Sequence, residues 1–508
     1  MEFVFNKYKN MLIEFISKEK LFLFLITITC VASYGFTITN FSIGIDDTSV
    51  ERYIHGGEIL SQGRFGGVLL DKIFGVMEVI PFWVDFLAVL ILAFAAIIWS
   101  ILFKSVSKDK IKSGALIIFA TIFVSYPLIN EIFIYMPASL SICVGYLLTG
   151  IALILSYEFI LNVKKISLGV ISILLMCFAV SLYESFAAVY ICGFFAVLII
   201  KYFFQDEEHE GLKKYFVYIF KFCLVLLLAI ILDLIISNIL IKMLSLTRST
   251  NGENSILWFN KGSIRSIIGN LIKGLKNNFA YMSMSYKPIL TFFVTCIFTV
   301  VLAFALAIRF KSITPTILML GLGLSNISLS LVQGAVSPYR TCQSFAIFIG
   351  FVWMLLAVLI GGRYKKVILY ALVFLLVLSQ TKDLNQWFYN DYRRFEIDKT
   401  NIIHIAQTIE ENYGRNVQKP IVFTGNLGQY ENIKRNQTNG FSFLNWSIGA
   451  FGENSTELLK FMKVYGYNFV QATNVQVSDA KLKSKDMPSW PMKGYISEFS
   501  DYIVVNFG

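Results

Sequence analysis

Over the first 380 residues the chain is laid out as long apolar blocks separated by short polar punctuation, and a bilayer core needs roughly 20 mostly apolar residues per helix. On that criterion eleven spans are expected, near 20–41, 82–103, 113–130, 139–163, 166–183, 186–203, 216–240, 288–308, 313–333, 342–361 and 367–380. Two further stretches fit helices lying in the membrane plane. Gly66–Ile80 is apolar but for Asp71, Lys72 and Glu78, and is too short to span. Ser263–Phe279 carries Ile264, Ile267, Ile268, Leu271, Ile272 and Leu275 at the i, i+3, i+4, i+7 spacing of an amphipathic helix with a basic face. Beyond Thr381 the pattern changes to that of a small α/β unit. Helices are expected at Asn401–Tyr413 and Glu457–Tyr465, with strands at Pro420–Phe423 and Tyr502–Asn506. The expected fold class is an all-α polytopic membrane body of about 11 transmembrane helices (1–380, with loops 42–81 and 241–287) followed by an α/β domain (381–508).

Composition agrees with this division. Hydrophobic residues make up 56% of the 508 and charged residues only 15%, against about 25% charged in a soluble domain. The last 128 residues hold 14 basic and 13 acidic side chains, so the tail is normally charged and nearly neutral. All but one unit of the net +11 therefore resides in the membrane body, where it reports topology rather than a nucleic-acid partner. Lysines and arginines follow the even-numbered spans: Lys104, Lys108, Lys110 and Lys112; Lys164 and Lys165; Lys201, Lys213 and Lys214; Arg309 and Lys311; Arg363, Lys365 and Lys366. Lys7, Lys9, Lys18 and Lys20 precede the first span, with no cleavage site behind it. The positive-inside rule then puts the N-terminus in the cytoplasm and, after an odd number of spans, the tail outside or in the periplasm. Seven cysteines without CxxC spacing and three scattered histidines support neither a disulfide framework nor a zinc site.

Charges that topology does not explain sit on the outer side. Asp46 and Asp47 follow the first span at once, with Arg52 and Arg64 behind them, and a carboxylate there could act as general base for a hydroxyl nucleophile. A polar loop that merely marks the interface is the plain structural alternative. Glu131 closes the third span, and Tyr183-Glu184 lies in a tight turn where Glu184 is the only charge between Lys165 and Lys201. Arg340 is the single base of an otherwise uncharged outer turn; its planar fork suits phosphate oxygens, and snorkelling to lipid headgroups is the alternative. Asp233 stands alone in an apolar span.

Several of these elements come in a particular order: the acidic pair after the first span, Gln62-Gly63-Arg64-Phe65, Tyr126-Pro127 with Asn130-Glu131, Ser181-Leu182-Tyr183-Glu184-Ser185, and Ser337 to Gln343. Together they resemble the Gtr serotype-converting O-antigen glucosyltransferases, over roughly the first 200 residues and again at the last motif. The resemblance implies a GT-C-like fold in the bacterial inner membrane. It implies transfer of glucose from undecaprenyl-phosphate-glucose to a surface polysaccharide acceptor at the outer face. Asp46 or Asp47 would be the catalytic base. Arg340, Arg64 and Arg52 would hold the donor phosphate, and Glu184, Tyr183 and Glu131 would contact the sugar or acceptor.

The adjacent carboxylates could bind Mg²⁺ or Mn²⁺, but too few further oxygen ligands are identifiable to fill an octahedral shell, so no obligatory metal or cofactor is expected. The partners expected are the undecaprenyl-phosphate-linked sugar, the polysaccharide and the lipid bilayer. A flippase of lipid-linked sugar and a polysaccharide polymerase or ligase share the same layout and stay open as alternatives.

Overall fold

A computed structural model of the protein describes residues 2–40, 42–45, 47, 57–74, 81–133, 136–162, 165–205, 211–249, 257–259, 263–285, 287–427, 442–448 and 456–508. The body begins with α1 (Glu2–Lys18), α2 (Lys20–Thr39) and the short α3 (Gly57–Ser61) and α4 (Phe65–Phe74). It continues through α5 (Pro81–Val106), α6 (Ser113–Ser125), α7 (Asn130–Phe133), α8 (Met136–Leu161), α9 (Ile166–Leu182), α10 (Phe186–Phe204) and α11 (Leu212–Met243). Then come α12 (Ile264–Ser285), α13 (Lys287–Phe310), α14 (Thr314–Ser325), α15 (Ser328–Gln333), α16 (Ser344–Leu359) and α17 (Arg363–Tyr413). Among the described residues seven helices are long and apolar enough to cross a membrane, and four shorter apolar helices accompany them. The protein is a mostly α-helical membrane protein with a small sheet at its end.

Lipid-facing and core-facing residues separate by helical period. On α13, Phe293, Ile297, Val300, Phe304 and Ile308 are exposed while Phe292, Thr295, Thr299, Ala303 and Leu306 are buried. Apolar side chains left outside a bundle are what a hydrocarbon solvent demands. The lysine-rich helix ends gather at one end of the bundle. Lys7 and Lys165 both pair with Glu158, at 2.6 and 3.2 Å, and Lys104 pairs with Glu19 at 3.3 Å. Towards the opposite end, neutral hydrogen bonds tie α2 and α17 to α6: Tyr34 Oη donates to the Val124 carbonyl and Ser125 Oγ to Gln380 Oε1, both at 2.8 Å.

Two expected elements are corrected. The span expected at 313–333 is two helices, α14 and α15, broken at Asn326–Ile327, where Asn326 Nδ2 donates back to the Leu322 and Gly323 carbonyls. The last span and the helix expected at Asn401–Tyr413 are one continuous 51-residue helix, α17. At 1.5 Å per residue it is about 75 Å long, more than twice a bilayer core, and it carries the chain from the body into the tail.

The tail packs around β1 (Ile421–Thr424), β2 (Ile496–Glu498) and β3 (Ile503–Asn506), in spatial order β1-β3-β2. β1 runs parallel to β3 with Ile421 opposite Ile503, and β2 runs antiparallel with Ile496 opposite Val505. Alternation along the strands feeds two cores. Ile421, Phe423, Ile503 and Val505 face α17 and α18 (Thr456–Val464), while Val422 and Val504 face α19 (Asn474–Lys483). Strand β2 and helix α19 are additions to the expected elements. The helix had a legible signal, a Thr473/Gln476 capping box whose two halves both form. Ile43 and Ile45, between α2 and the acidic pair, are buried in the tail's larger core.

Candidate active site

The turn after α3 is built for close approach. Gly63 N and Arg64 N donate to the Leu60 and Ile59 carbonyls at 2.9 and 3.1 Å. Gly63 has φ +90°, a conformation that glycine adopts without strain. Its carbonyl accepts a 3.0 Å hydrogen bond from Ser237 Oγ on α11, and Ser249 N reaches the Ser61 carbonyl at 2.9 Å. The turn is thereby fixed against α11 and the chain beyond it.

Arg64, next in sequence, crosses to the turn between α9 and α10. Its Nε and Nη2 donate to Glu184 Oε1 and Oε2 at 3.2 and 3.0 Å, and its guanidinium carbon lies 4.5 Å from the centre of the Tyr183 ring. This is a bidentate pair combined with a cation–π contact, a geometry lysine cannot reproduce. The charges of Arg64 and Arg340 both act on Tyr183. Arg340 is brought there by the 338–343 turn. Gln343 accepts from Ser185 Oγ at 2.7 Å through its side chain and from Tyr146 Oη at 2.8 Å through its carbonyl, and its amide donates to the Arg340 carbonyl. Tyr126 of the Tyr-Pro motif lines a small apolar cavity with Tyr146, Cys342 and Gln343 beneath that turn. Arg64, Tyr183, Glu184 and Arg340, drawn from three separate connections, thus form one cluster.

Asp47 belongs to a second cluster. It is only 3% exposed, and its Oδ2 accepts from Gly44 N at 2.7 Å. Its charge acts on Asp85, a 6% exposed carboxylate near the start of α5 that accepts a 3.4 Å hydrogen bond from Ser139 Oγ on α8. Helix α4 bridges the two clusters. Gly66 lies so close to Ser181 of α9 that an added Cβ would overlap its Oγ, and a Cβ at Gly67 would be 3.8 Å from Ser141 Oγ of α8.

Of the remaining expected site residues, Asp46 and Arg52 lie outside the described residues, and for Glu131 only the backbone, within α7, is described. Asp85 was not among the sequence candidates. Its signal was available, since it is the one carboxylate within the expected 82–103 span. Among the described residues no group of three or more His, Cys, Asp or Glu side chains is placed to hold a metal ion; Asp47 and Asp85 together supply two carboxylates.

An apolar helical body that gathers arginines, a tyrosine and buried carboxylates at its helix ends is the architecture of a membrane-embedded protein with a polar site at the edge of the bundle. Within that class, the chain belongs to the glucosyl transferase GtrII family, whose sequence model matches residues 35–357 and so includes both clusters. No curated protein and no solved structure matches the chain.

Proposed function

We propose that this protein transfers glucose from undecaprenyl-phosphate-glucose to a sugar of a surface polysaccharide, the O-antigen repeat. The observation that carries the reading is the convergence of Arg64 and Arg340 on Tyr183 within the span matched to a glucosyl transferase family. Two guanidinium groups beside one another suit a phosphate that gains negative charge as it leaves. In the reaction, Asp47 or its neighbour Asp46 takes the proton of an acceptor hydroxyl, and that oxygen attacks the anomeric carbon. The bond from this carbon to the phosphate oxygen breaks, and its electron pair leaves with the polyprenyl phosphate held by the arginines. Phosphate is a fair leaving group, so positioning and charge stabilisation are the protein's main contributions, and no obligatory metal enters.

The body in this reading is GT-C-like, the seven long and four shorter apolar helices making eleven spans. The lysine-rich end faces the cytoplasm of a bacterial inner membrane, the two clusters face the periplasm, and residues 381–508 form a periplasmic domain that helps to choose the acceptor. Asp47→Asn, Asp46→Asn and the double variant test the assignment, read out as the glucose content of the surface glycan at equal membrane expression. Loss of the glucose branch is expected, because Asn keeps an oxygen for Gly44 N but cannot take the proton. Full glucosylation by the double variant would overturn the base assignment. An unchanged glycan in cells lacking the protein, with impaired lipid movement, would favour a flippase; altered chain length or lipid attachment would favour a polymerase or ligase.

A further inference from the structure

Helix α11 turns most of its surface outward, with Phe220, Leu227, Ile231, Leu234 and Ile235 exposed. Its buried stripe runs Phe222, Leu226, Ala229, Asp233, Ser237, at spacings of four and three. Asp233 is the only acid in these 32 residues. It is 9% exposed, and its Oδ1 is fully buried with no hydrogen-bond partner among the described residues. One turn further along, Ser237 Oγ makes hydrogen bonds to both the Asp233 and Gly63 carbonyls, so Asp233 sits one turn below the Gly63–Arg64 turn. The charged groups that act on Asp233 are Glu184 and Arg248, and Asp233 in turn acts on Cys177, one to two turns before Tyr183 on α9. Asp233 therefore lies beneath the Arg64–Glu184 pair, between α11 and α9.

An ionisable side chain within an apolar span is costly unless something there uses it, and a buried acceptor oxygen without a donor adds to that cost. The pair above offers no relief, because Glu184 carries only acceptor oxygens and Arg64 Nε and Nη2 already donate to them. Nor can the missing partner be the donor phosphate, which would be repelled by a carboxylate and attracted to the guanidinium side of the cluster. What is needed is a neutral group rich in hydroxyl donors, attached to a phosphate and only a few ångströms from it. A hexosyl phosphate has that layout.

We propose that Asp233 accepts a hydrogen bond from a ring hydroxyl of the hexose being transferred, and so helps to determine which sugar the protein accepts. The inference rests on the donor reading above and adds a residue and a specificity to it. It divides the site by chemistry: phosphate against Arg64 and Arg340, sugar hydroxyl against Asp233.

The test uses the full chain in membrane vesicles, with polyprenyl-phosphate-glucose and its 2-, 3-, 4- and 6-deoxy analogues as donors, and kcat/KM for sugar transfer as the readout. Asp233→Ala and Asp233→Asn both remove an intramembrane charge, and Asn keeps the side-chain volume. The wild-type protein is expected to disfavour one deoxy analogue by about 100-fold, because a site that hydrogen-bonds a hydroxyl rejects a ligand lacking it. Asp233→Ala should lose about 100-fold with glucose and transfer that analogue as well as it transfers glucose. Asp233→Asn, which still offers an oxygen, should fall between the two. Retention of wild-type kcat/KM by Asp233→Ala, or an equal loss on every donor, would overturn the inference while leaving the donor reading intact. A wild-type protein that transfers sugar from none of these donors would overturn both.

Discussion

Arg64 and Glu184, 120 residues apart in the chain, meet side-on, with Nε and Nη2 of one guanidinium donating to the two oxygens of one carboxylate. The side chains are 31% and 51% exposed, and ion pairs that open to solvent stabilise a fold by only about 0–1 kcal/mol. The arrangement is therefore better explained by what it does to Arg64, whose guanidinium it holds over the Tyr183 ring, 4.5 Å from its centre.

Breaking this pair should separate activity from stability. Arg64→Lys cannot stack on Tyr183 or bond side-on, and Glu184→Gln loses the charge that orients the guanidinium. Each is expected to lower transfer kcat/KM by about 10- to 100-fold, the kinetic equivalent of a charge-assisted hydrogen bond, while thermal unfolding in detergent stays within a few degrees of wild type. Because the two residues act as one unit, the double variant should fall well short of the product of the single losses. Strictly multiplicative losses would mean that the pair has no joint role.

The packing of α4 on α9 makes a steric prediction. A Cβ at Gly66 would overlap Ser181 Oγ and press on Leu182 and Phe178 at 3.2 and 3.3 Å. Overpacking of this kind costs about 1–3 kcal/mol. Gly66→Ala should therefore lower the unfolding midpoint and, by shifting Arg64 relative to Glu184, transfer as well. Adding Ser181→Ala removes the closest obstruction and should restore part of both. A Gly66→Ala protein with wild-type stability and rate would contradict the observed packing.

Asp71 gives the protein a dependence on pH. It lies on α4, 6% exposed, with Oδ1 buried and without a partner among the described residues, and burial pushes its carboxyl up to about 7. In the unfolded chain the same group titrates near about 4. Between these values the unfolded state binds fewer protons, so stability falls as pH rises. The contribution is fully present below about pH 4 and lost by the time pH passes about 7. Asp71→Asn should abolish that part of the slope and raise the unfolding midpoint most at pH 8. Identical midpoint-against-pH curves for the two proteins from pH 5 to 8 would show that the carboxyl titrates normally.

How far these features could be read from residues alone depended on whether the pattern was purely apolar. The apolar blocks of the body and the lysines at their ends were legible, because lipid on one side and protein on the other both accept apolar side chains. Glu184 and Arg340 could be singled out since each is isolated in its surroundings, and Arg64 from the Gln62-Gly63-Arg64-Phe65 element, but nothing local tied the two arginines to Tyr183; for Arg340 that needs the docking of Gln343 on Ser185 and Tyr146. Asp85 was legible as the one carboxylate of its apolar span, but nothing local tied it to Asp47. The second half of α17 was hidden for a different reason. Its buried positions Leu384, Phe388, Asp391, Phe395, Asp398, Ile402, Ile405 and Ile409 keep strict spacings of four and three, but two of them are acids. Asp398 is acceptable there because Ser442 Oγ and Phe443 N donate to it at 2.7 and 3.0 Å and Arg394 lies 3.4 Å away. A search for apolar periodicity stops at such positions and sees a linker where the helix continues.

The last prediction concerns how the tail reaches the chemistry. Ile43 and Ile45 are 1% and 6% exposed, and they pack with Phe395, Ile402 and Phe443 in the tail's core, while Asp47, two residues on, faces Asp85 and the membrane body. The same short segment is gripped by the tail at one end and presents its carboxylate to the body at the other. Gly44, between the two isoleucines, supplies the N–H that Asp47 accepts, so a shift of the segment would move the carboxylate directly. Truncating one such isoleucine to alanine removes about 2–5 kcal/mol of packing. If the tail positions Asp47, Ile43→Ala and Ile45→Ala should each lower kcat more than they raise KM for the lipid donor, since the cluster of Arg64 and Arg340 proposed to hold that donor is built without this segment. Hydrogen exchange of β1 and β3 should increase in the same variants, while exchange of α8 and α9 stays unchanged. Increased exchange in the tail with an undiminished kcat would show that Asp47 is held by the body alone, and would confine the tail to a role away from the reacting atoms.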